Sequence, residues 1–218
     1  RDQIRNRRDL ENALTRFRAR ESKILVGTQM VTKGHDFPGV TLVGVVSADA
    51  SLNFPDFRAA ERTFQLLTQV AGRAGRAEKE GRVLVQSFET DHYAITCAAK
   101  HDFESFIKQE LVYREELFYP PFAYLCLLRF ESEDEQKAMK LAQEQAEKLR
   151  NQARKMDVEL LILGPALAPL SRIKGIYRIQ LLLKGATRND IRKVLGALSN
   201  RPQSGVRQIL DVDPISML

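Results

Sequence analysis

The stretch "DFRAAERTFQLLTQVAGRAGR", residues 56–76, decides how the first half of the chain is read. Asp56 is a candidate N-cap, and Ala60, Phe64, Leu67 and Val70 recur at helical spacing, so the segment reads as a helix with one apolar face. It closes on "GRAGR", in which Arg73 and Arg76 stand about one turn apart, each directly behind a glycine, Gly72 or Gly75. Rigid guanidinium forks without bulky neighbours suit phosphate oxygens. The plain alternative is a helix end, where arginines satisfy the last carbonyls and glycines stop the helix. A phosphate loop would need a Gly-Lys step, and none of the 12 glycines precedes a lysine. Any phosphate that these arginines hold is therefore gripped elsewhere.

Working outward, residues 3–20 place Ile4, Leu10, Leu14 and Phe17 on one side of an amphipathic helix. "KILVG" (23–27) then reads as a short, fully buried strand. "VTLVGVVSAD" (40–49) and "GRVLVQSF" (81–88) are two more apolar runs. Such runs separated by helices indicate a parallel α/β sheet, and the helix between the last two would carry "GRAGR" to the strand-end rim where open α/β sheets bind ligands. Residues 91–118 read as helical linkage. The tandem prolines of "YPPF" (119–122) stop a helix and stiffen the exit, and set the expected domain boundary.

The second half has another rhythm. "AYLCLLRF" is a strand, and "SEDEQKAMKLAQEQAEKLRNQARKM" a long helix with Ser132 and Glu135 as a capping box and Ala138, Leu141, Leu149 and Met156 facing inward. "VELLILGP" and "YRIQLLLKG" are strands, Thr187 opens a helix through Ile191, Val194 and Leu198, and "VRQILDVDP" is the last strand. The order β-α-β-β-α-β is that of a ferredoxin-like fold. Asp134 and Glu135 imitate a magnesium-binding acidic pair, but they fall in a first helical turn, where acids complement the helix dipole.

The chain has 218 residues, a formal charge of +6 and a pI near 9.4, which makes a polyanionic partner plausible without proving one. No apolar run approaches bilayer-spanning length and the N-terminus lacks the apolar block of a secretion signal, so the expected setting is the cytoplasm. Cys97 and Cys126, far from any pairing motif, are expected as buried core thiols, and His35, His92 and His101 are scattered, so no metal site is expected. The chain opens without methionine and in mid-helix style, as a piece cut from a longer parent would.

What sharpens the "GRAGR" reading is the loop "GTQMVTKGHDFP" (27–38), which joins a hydroxyl, an amide, a lysine, glycines and an acid at an expected strand end. The loop resembles motif V, and "QVAGRAGR" motif VI, of superfamily 2 helicases, where both belong to the second of two RecA-like lobes. "VGVVSAD", "PDFRAAERTFQLLTQVAGRAGR", "YPPF" and "LDVDP" resemble more specifically the bacterial replication-restart helicases, over nearly the whole chain.

The resemblance implies a C-terminal part of an ATP-dependent 3′–5′ DNA helicase that reloads the replication machinery. Residues 1–118 would form the second RecA-like lobe in part, and 123–218 the ferredoxin-like domain. ATP with magnesium would be held mainly by the first lobe, which this chain lacks, and zinc only by the longer parent. Arg73 and Arg76 would stabilise the departing phosphoryl group, with Gln69, Gly72, Gly75, Gly34 and Asp36 at the nucleotide. Thr28, Gln29 and Lys33 would grip one DNA strand, and Arg172, Lys174 and Arg178 would form a basic DNA-contact patch on the second domain, for which a charge-protected strand edge is the alternative. The implied partners are branched and single-stranded DNA, single-strand-binding protein and primosome proteins, in the nucleoid and at no membrane. His35 and Asp49 stay open between cleft contact and an ordinary loop role. Another superfamily 2 repair or recombination translocase, or a non-catalytic binding module, are the competing functions; the chain alone is expected to be inactive.

Overall fold

The structure, a computed structural model, describes residues 7–28, 37, 39–72, 81–198 and 205–217. It divides into two compact units, one formed from Arg1–Leu52 and Glu61–Phe103, the other from Asn53–Ala60 and Glu104–Leu218.

In the first unit α1 (Arg7–Arg18) buries Leu14, with Leu10 and Phe17 half-buried beside it. Strands β1 (Leu42–Val45) and β2 (Arg82–Val85) pair in parallel, from Leu42 opposite Arg82 to Val45 opposite Val85. The connection runs through α2 (Asp49–Leu52) and α3 (Ala59–Ala71). Phe64, Leu67 and Val70 of α3 are buried, as the apolar spacing requires. Helices α4 (Tyr93–Ala99) and α5 (Phe103–Glu116) follow, and His92 caps α4 by accepting the Ala94 N–H at 3.1 Å.

Two expectations for this unit change. Residues 23–27 form no strand, and Ile24 and Val26 are 79% and 86% exposed. A run of apolar residues becomes a buried strand only through a ladder partner and a cover on both faces, and the described residues supply neither. The sheet they form has two strands, β1 and β2, and one covered face. Val43, Val45, Val83 and Val85 are half-buried, while Leu42 and Leu84 on the opposite face are 57% and 63% exposed.

The second unit holds an antiparallel sheet of β3 (Tyr124–Ser132), β4 (Leu160–Ile173), β5 (Ile176–Gly185) and β6 (Arg207–Val212) in the order β4-β5-β3-β6. With α6 (Glu135–Lys155) after β3 and α7 (Arg188–Leu195) after β5, this is the expected ferredoxin-like arrangement. One sheet face, carrying Cys126, Leu128, Phe130, Ile179, Leu181 and Leu183, packs on both helices. Ala138, Ala142 and Ala146 line the inner stripe of α6 and let its backbone lie close to the sheet. Leu125, Leu127 and Leu182 on the other face meet Met217, Phe57 and Tyr119. Both cysteines are buried and free, and burial pushes the Cys126 thiol up to about 12.

Thr187 caps α7 as expected, accepting the Asp190 N–H at 3.1 Å. The cap of α6 shifts by two residues. Asp134, not Ser132, accepts the Lys137 N–H, at 3.2 Å, because the Ser132 hydroxyl donates to the Gly205 carbonyl at 2.7 Å. Met156, expected inward, is exposed where α6 ends. Strand β4 outruns "VELLILGP", since register shifts after Leu163 and after Leu167 let the pairing with β5 resume. Residues 104–122, expected on the lobe side of the boundary and at it, cluster with the second unit. Among the described residues no helix is long and apolar enough to cross a membrane.

Gly164 sits at the first of those shifts with φ +96°, and a Cβ there would lie 2.8 Å from the Gln180 carbonyl oxygen and 3.2 Å from the Ala166 nitrogen. Gly164→Ala should therefore destabilise the second unit by about 1–3 kcal/mol, since both backbone strain and a backbone clash oppose it. Urea unfolding followed by circular dichroism measures this, and an unchanged midpoint would contradict it.

Candidate nucleotide and nucleic-acid site

Helix α3 ends at Ala71, and Gly72 closes it with its N–H 3.1 Å from the Thr68 carbonyl. A Cβ at Gly72 would meet nothing nearer than that carbonyl, at 3.6 Å, so packing inside the helix does not demand glycine there. Gln69, one turn back, is half-buried. Arg73, Gly75 and Arg76 follow at once in sequence and lie outside the described residues, as do Gln29, Lys33, Gly34, His35 and Asp36.

The stretch that contains those last five is bracketed by described residues. Thr28 stands exposed on one side, in a stretch that forms no strand. On the other side Phe37 packs edge-on against Phe17 of α1, with ring centroids 5.1 Å apart, and the Arg18 guanidinium lies 5.6 Å from its centroid. This aromatic contact of Phe37 is not one that the sequence singles out. The spacing of Phe17 on the apolar stripe of α1 was the available signal.

Asp49 resolves toward a loop role. It opens α2 just after β1, is 8% exposed, and its Oδ1 accepts from the Ser87 hydroxyl at 2.7 Å, the Phe88 N–H at 3.0 Å and the Glu89 N–H at 3.3 Å. It therefore ties the exit of β1 to the exit of β2. These bonds, the Ser87 hydroxyl first, hold its carboxyl below the usual value of 3.8 against the opposing effect of burial. Its Oδ2 is buried without a hydrogen-bond partner among the described residues.

On the second unit the three expected basic contacts separate. Lys174 (φ +49°) and Gly175 (φ +86°) form the two-residue turn between β4 and β5, both left-handed as such a hairpin turn requires. Lys174 is exposed there, and exposed Arg172 lies 4.6 Å over the Tyr177 ring. Arg178 is different. It is 8% exposed, its Nε stands 3.5 Å from Glu131 Oε1, and its Nη1 donates to the Leu170 carbonyl at 3.5 Å. Because β5 is an inner strand that sets Arg178 directly opposite Glu131, its charge is spent inside the sheet, and it leaves the contact patch.

A further cluster was not foreseen. Asp56, expected to cap α3, accepts the Arg58 N–H on Oδ1 at 3.0 Å and the Ala59 N–H on its backbone carbonyl at 2.9 Å, and it also accepts the Met217 N–H at 3.3 Å, while Arg58 donates to the Pro214 carbonyl at 2.9 Å and the Ile215 carbonyl at 3.3 Å. Phe57 stacks on Tyr119 with centroids 4.8 Å apart. Lys184, whose pKa burial lowers, donates to the Leu117 carbonyl at 2.9 Å and lies 3.4 Å over the Tyr119 ring. The signal in the sequence was the joint presence of "PDFR" and "LDVDP", whose contact no local rule exposes.

A unit with a parallel strand pair is thus followed by a ferredoxin-like unit. Residues 4–78 match the family described as helicase conserved C-terminal domain, and residues 115–215 match the primosomal protein N C-terminal domain. Nearly the whole chain is similar to part of the replication restart protein PriA. It is 41% identical over 213 residues to replication restart protein PriA of Bacillus subtilis, covering 95% of this chain and 26% of that protein. It is 45% identical over 204 residues to the PriA of Synechocystis, covering 94% and 24%, and 40% identical over 211 residues to that of Treponema pallidum, covering 96% and 32%. The chain thus spans about a quarter to a third of the length of these relatives.

The depressed Asp49 carboxyl fixes the sign of a pH effect. The stability its bonds contribute is complete above its unfolded value, near 3.8, and is lost as the pH falls through its lower folded value. In Ser87→Ala the carboxyl should titrate at higher pH and acid unfolding of the first unit should begin earlier. A carboxyl-resolved NMR titration reads this, and an unmoved Asp49 would contradict it.

Proposed function

We propose that this chain is the C-terminal part of an ATP-dependent 3′–5′ DNA helicase that restarts replication at stalled or repaired forks. The observation that carries the reading is the succession, in one chain, of a helicase C-terminal domain whose α3 runs directly into Gly72-Arg73 and a primosomal C-terminal domain. Similarity to the PriA proteins over 94–96% of the chain supports it.

In this reading a bound ATP with magnesium supplies the phosphoryl group whose departure spreads negative charge over its oxygens. Arg73 and Arg76 stabilise that charge from the opposite side of the nucleotide cleft. Gly72 and Gly75 let the backbone approach, Gln69 orients the segment, and Gly34 and Asp36 serve the nucleotide. Thr28, Gln29 and Lys33 hold phosphates and sugars of one DNA strand, which positions the strand without reading its sequence. Since one loop joins the DNA residues to the nucleotide residues, closure around ATP shifts the DNA grip and hydrolysis releases it. The hairpin tip with Arg172 and Lys174 adds DNA affinity on the second unit. Branched DNA, single-strand-binding protein and primosome proteins are the partners this activity calls for, in the cytoplasm at the nucleoid. Zinc, if the longer protein uses it, is held outside these residues.

Rejoined to the missing portion, the protein should hydrolyse ATP in response to single-stranded DNA, and Arg76→Ala should lower that rate by about 10³-fold or more. Undiminished turnover in the variant would remove the arginine from its role, and a DNA-insensitive parent would favour an inert binding module. Arg172→Ala with Lys174→Ala should reduce the slope of log affinity against log salt for single strands by about 1.4, as expected for two lost phosphate contacts. An unchanged slope would leave the hairpin as a charge-protected sheet edge.

A further inference from the structure

One face of the antiparallel sheet in the second unit is closed in part by a segment that belongs to no strand. After β6 the Asp213 N–H still donates to the Leu125 carbonyl, at 2.9 Å, and Pro214 to Met217 then run on outside any strand. Pro214 is buried, Ile215 is 86% exposed and Met217 is 6% exposed, so the segment lies at the surface with one side inward. Met217 is the pin, packed with Leu125, Leu127 and Leu182 of the sheet and with Phe57 and Tyr119 beside it. The polar grips act on the main chain. Arg58 donates to the Pro214 carbonyl at 2.9 Å and to the Ile215 carbonyl at 3.3 Å, and Asp56 Oδ2 accepts the Met217 N–H at 3.3 Å. The residues that receive the segment are also fixed by one another. Phe57 stacks on Tyr119, the Arg114 guanidinium lies 5.3 Å from the Phe57 ring and 2.7 Å from Glu110 Oε1, and Asp56 Oδ1 accepts the Arg58 N–H. None of these last contacts involves residues 214–217, and every residue in them belongs to the second unit.

We propose that residues 214–217 are a detachable strap, a peptide docked in a preformed groove of the second unit rather than a woven part of its sheet, which gives that unit a closed state and an open one. The groove's chemistry defines what fits it. It takes an extended segment with two successive carbonyls for the guanidinium fork, an N–H two residues after the second of them for the carboxylate, and an apolar side chain for the surface of Leu125, Leu127 and Leu182. Grips on the main chain allow one copy of the peptide to replace another, and the Met217 pin sets its register. Because the walls are locked to one another, they need not be ordered afresh each time a peptide returns. A short segment with Pro214 and Met217 inward and Ile215 in solvent opens for less free energy than the sheet beneath it. In the open state Leu125, Leu127 and Leu182 are presented beside Phe57 and Tyr119. No residue assigned to nucleotide or DNA takes part.

The test supplies the segment in trans. The chain ended at Asp213 is titrated with a synthetic peptide of residues 213–218 and followed by NMR at the amides of Leu125, Leu127 and Leu182, with exchange protection in α6 as the folding control. The peptide should bind saturably, and at least about tenfold more tightly than it binds the unaltered chain, where the tethered segment competes at high effective concentration. Met217→Ala in the peptide, or Arg58→Ala in the shortened chain, should each weaken binding at least about tenfold, the first by losing the buried pin and the second by losing two charged hydrogen bonds. If the shortened chain does not fold, the full chain with Met217→Ala takes its place, because its weakened strap should yield to the same peptide. Absence of saturable binding to the folded variant would overturn the strap. Equal binding to that variant and to the unaltered chain, or an affinity indifferent to Met217 and Arg58, would overturn it as well.

Discussion

Arg58 and Asp56 tie the start of α3 to a tail that the chain reaches 156 to 161 residues later, and one face of the antiparallel sheet is covered beside that knot. The face of the antiparallel sheet opposite its helices is covered by Met217, Phe57 and Tyr119, all of which the knot holds in place. A buried aspartate and a three-quarters-buried arginine are costly to desolvate, and are tolerated because each is bonded to fixed backbone groups as well as to the other. Removing either partner takes the opposite charge away from the other and leaves it to its remaining bonds. The knot is therefore a point where the chain fixes a geometry rather than one where it merely gains stability.

Electrostatics elsewhere in the chain follows the same logic of fixed loops and spent charges. Asp49 bonds three donors just beyond β2 and so holds the two strand exits of the parallel pair together. Glu131 is shared between Arg129, 3.0 Å away, and Arg178, 3.5 Å away, inside the antiparallel sheet. Of the basic residues at the hairpin of β4 and β5, Arg172 and Lys174 are left presented to solvent. A net charge of +6 says little about binding until charges already committed inside the fold are subtracted from it.

Much of the second unit was legible in the sequence, because its signals are local. Thr187 announces a helix start, Ala138, Leu141 and Leu149 mark an inner stripe, and the strands alternate with helices in a familiar order. The cap of α6 was misread because Ser132 and Asp134 are equally good caps in sequence, and a carbonyl from Gly205, far along the chain, takes the serine hydroxyl. The first unit was harder. "KILVG" has the composition of a buried strand, yet pairing is decided by neighbours that composition does not name. Asp56 has the chemistry of a cap and bonds the Arg58 N–H two residues on, but its other oxygen serves the tail, a partner that no window of local sequence contains. Of the candidate site, the two motifs, their arginines and the loop residues were read from spacing and resemblance. The committed state of Arg178 and the contact of Phe37 with Phe17 came from the folded structure.

The account centres on an arginine segment that acts on a phosphate gripped by another part of a longer protein. The most direct measurement is a structure of that longer protein bound to single-stranded DNA, ADP and a planar fluoride that imitates the transferring phosphoryl group. The account predicts the Arg73 or Arg76 guanidinium within hydrogen-bond distance of the fluorides. Both side chains folded back onto carbonyls of their own segment, with the fluorides contacted by other residues, would contradict it.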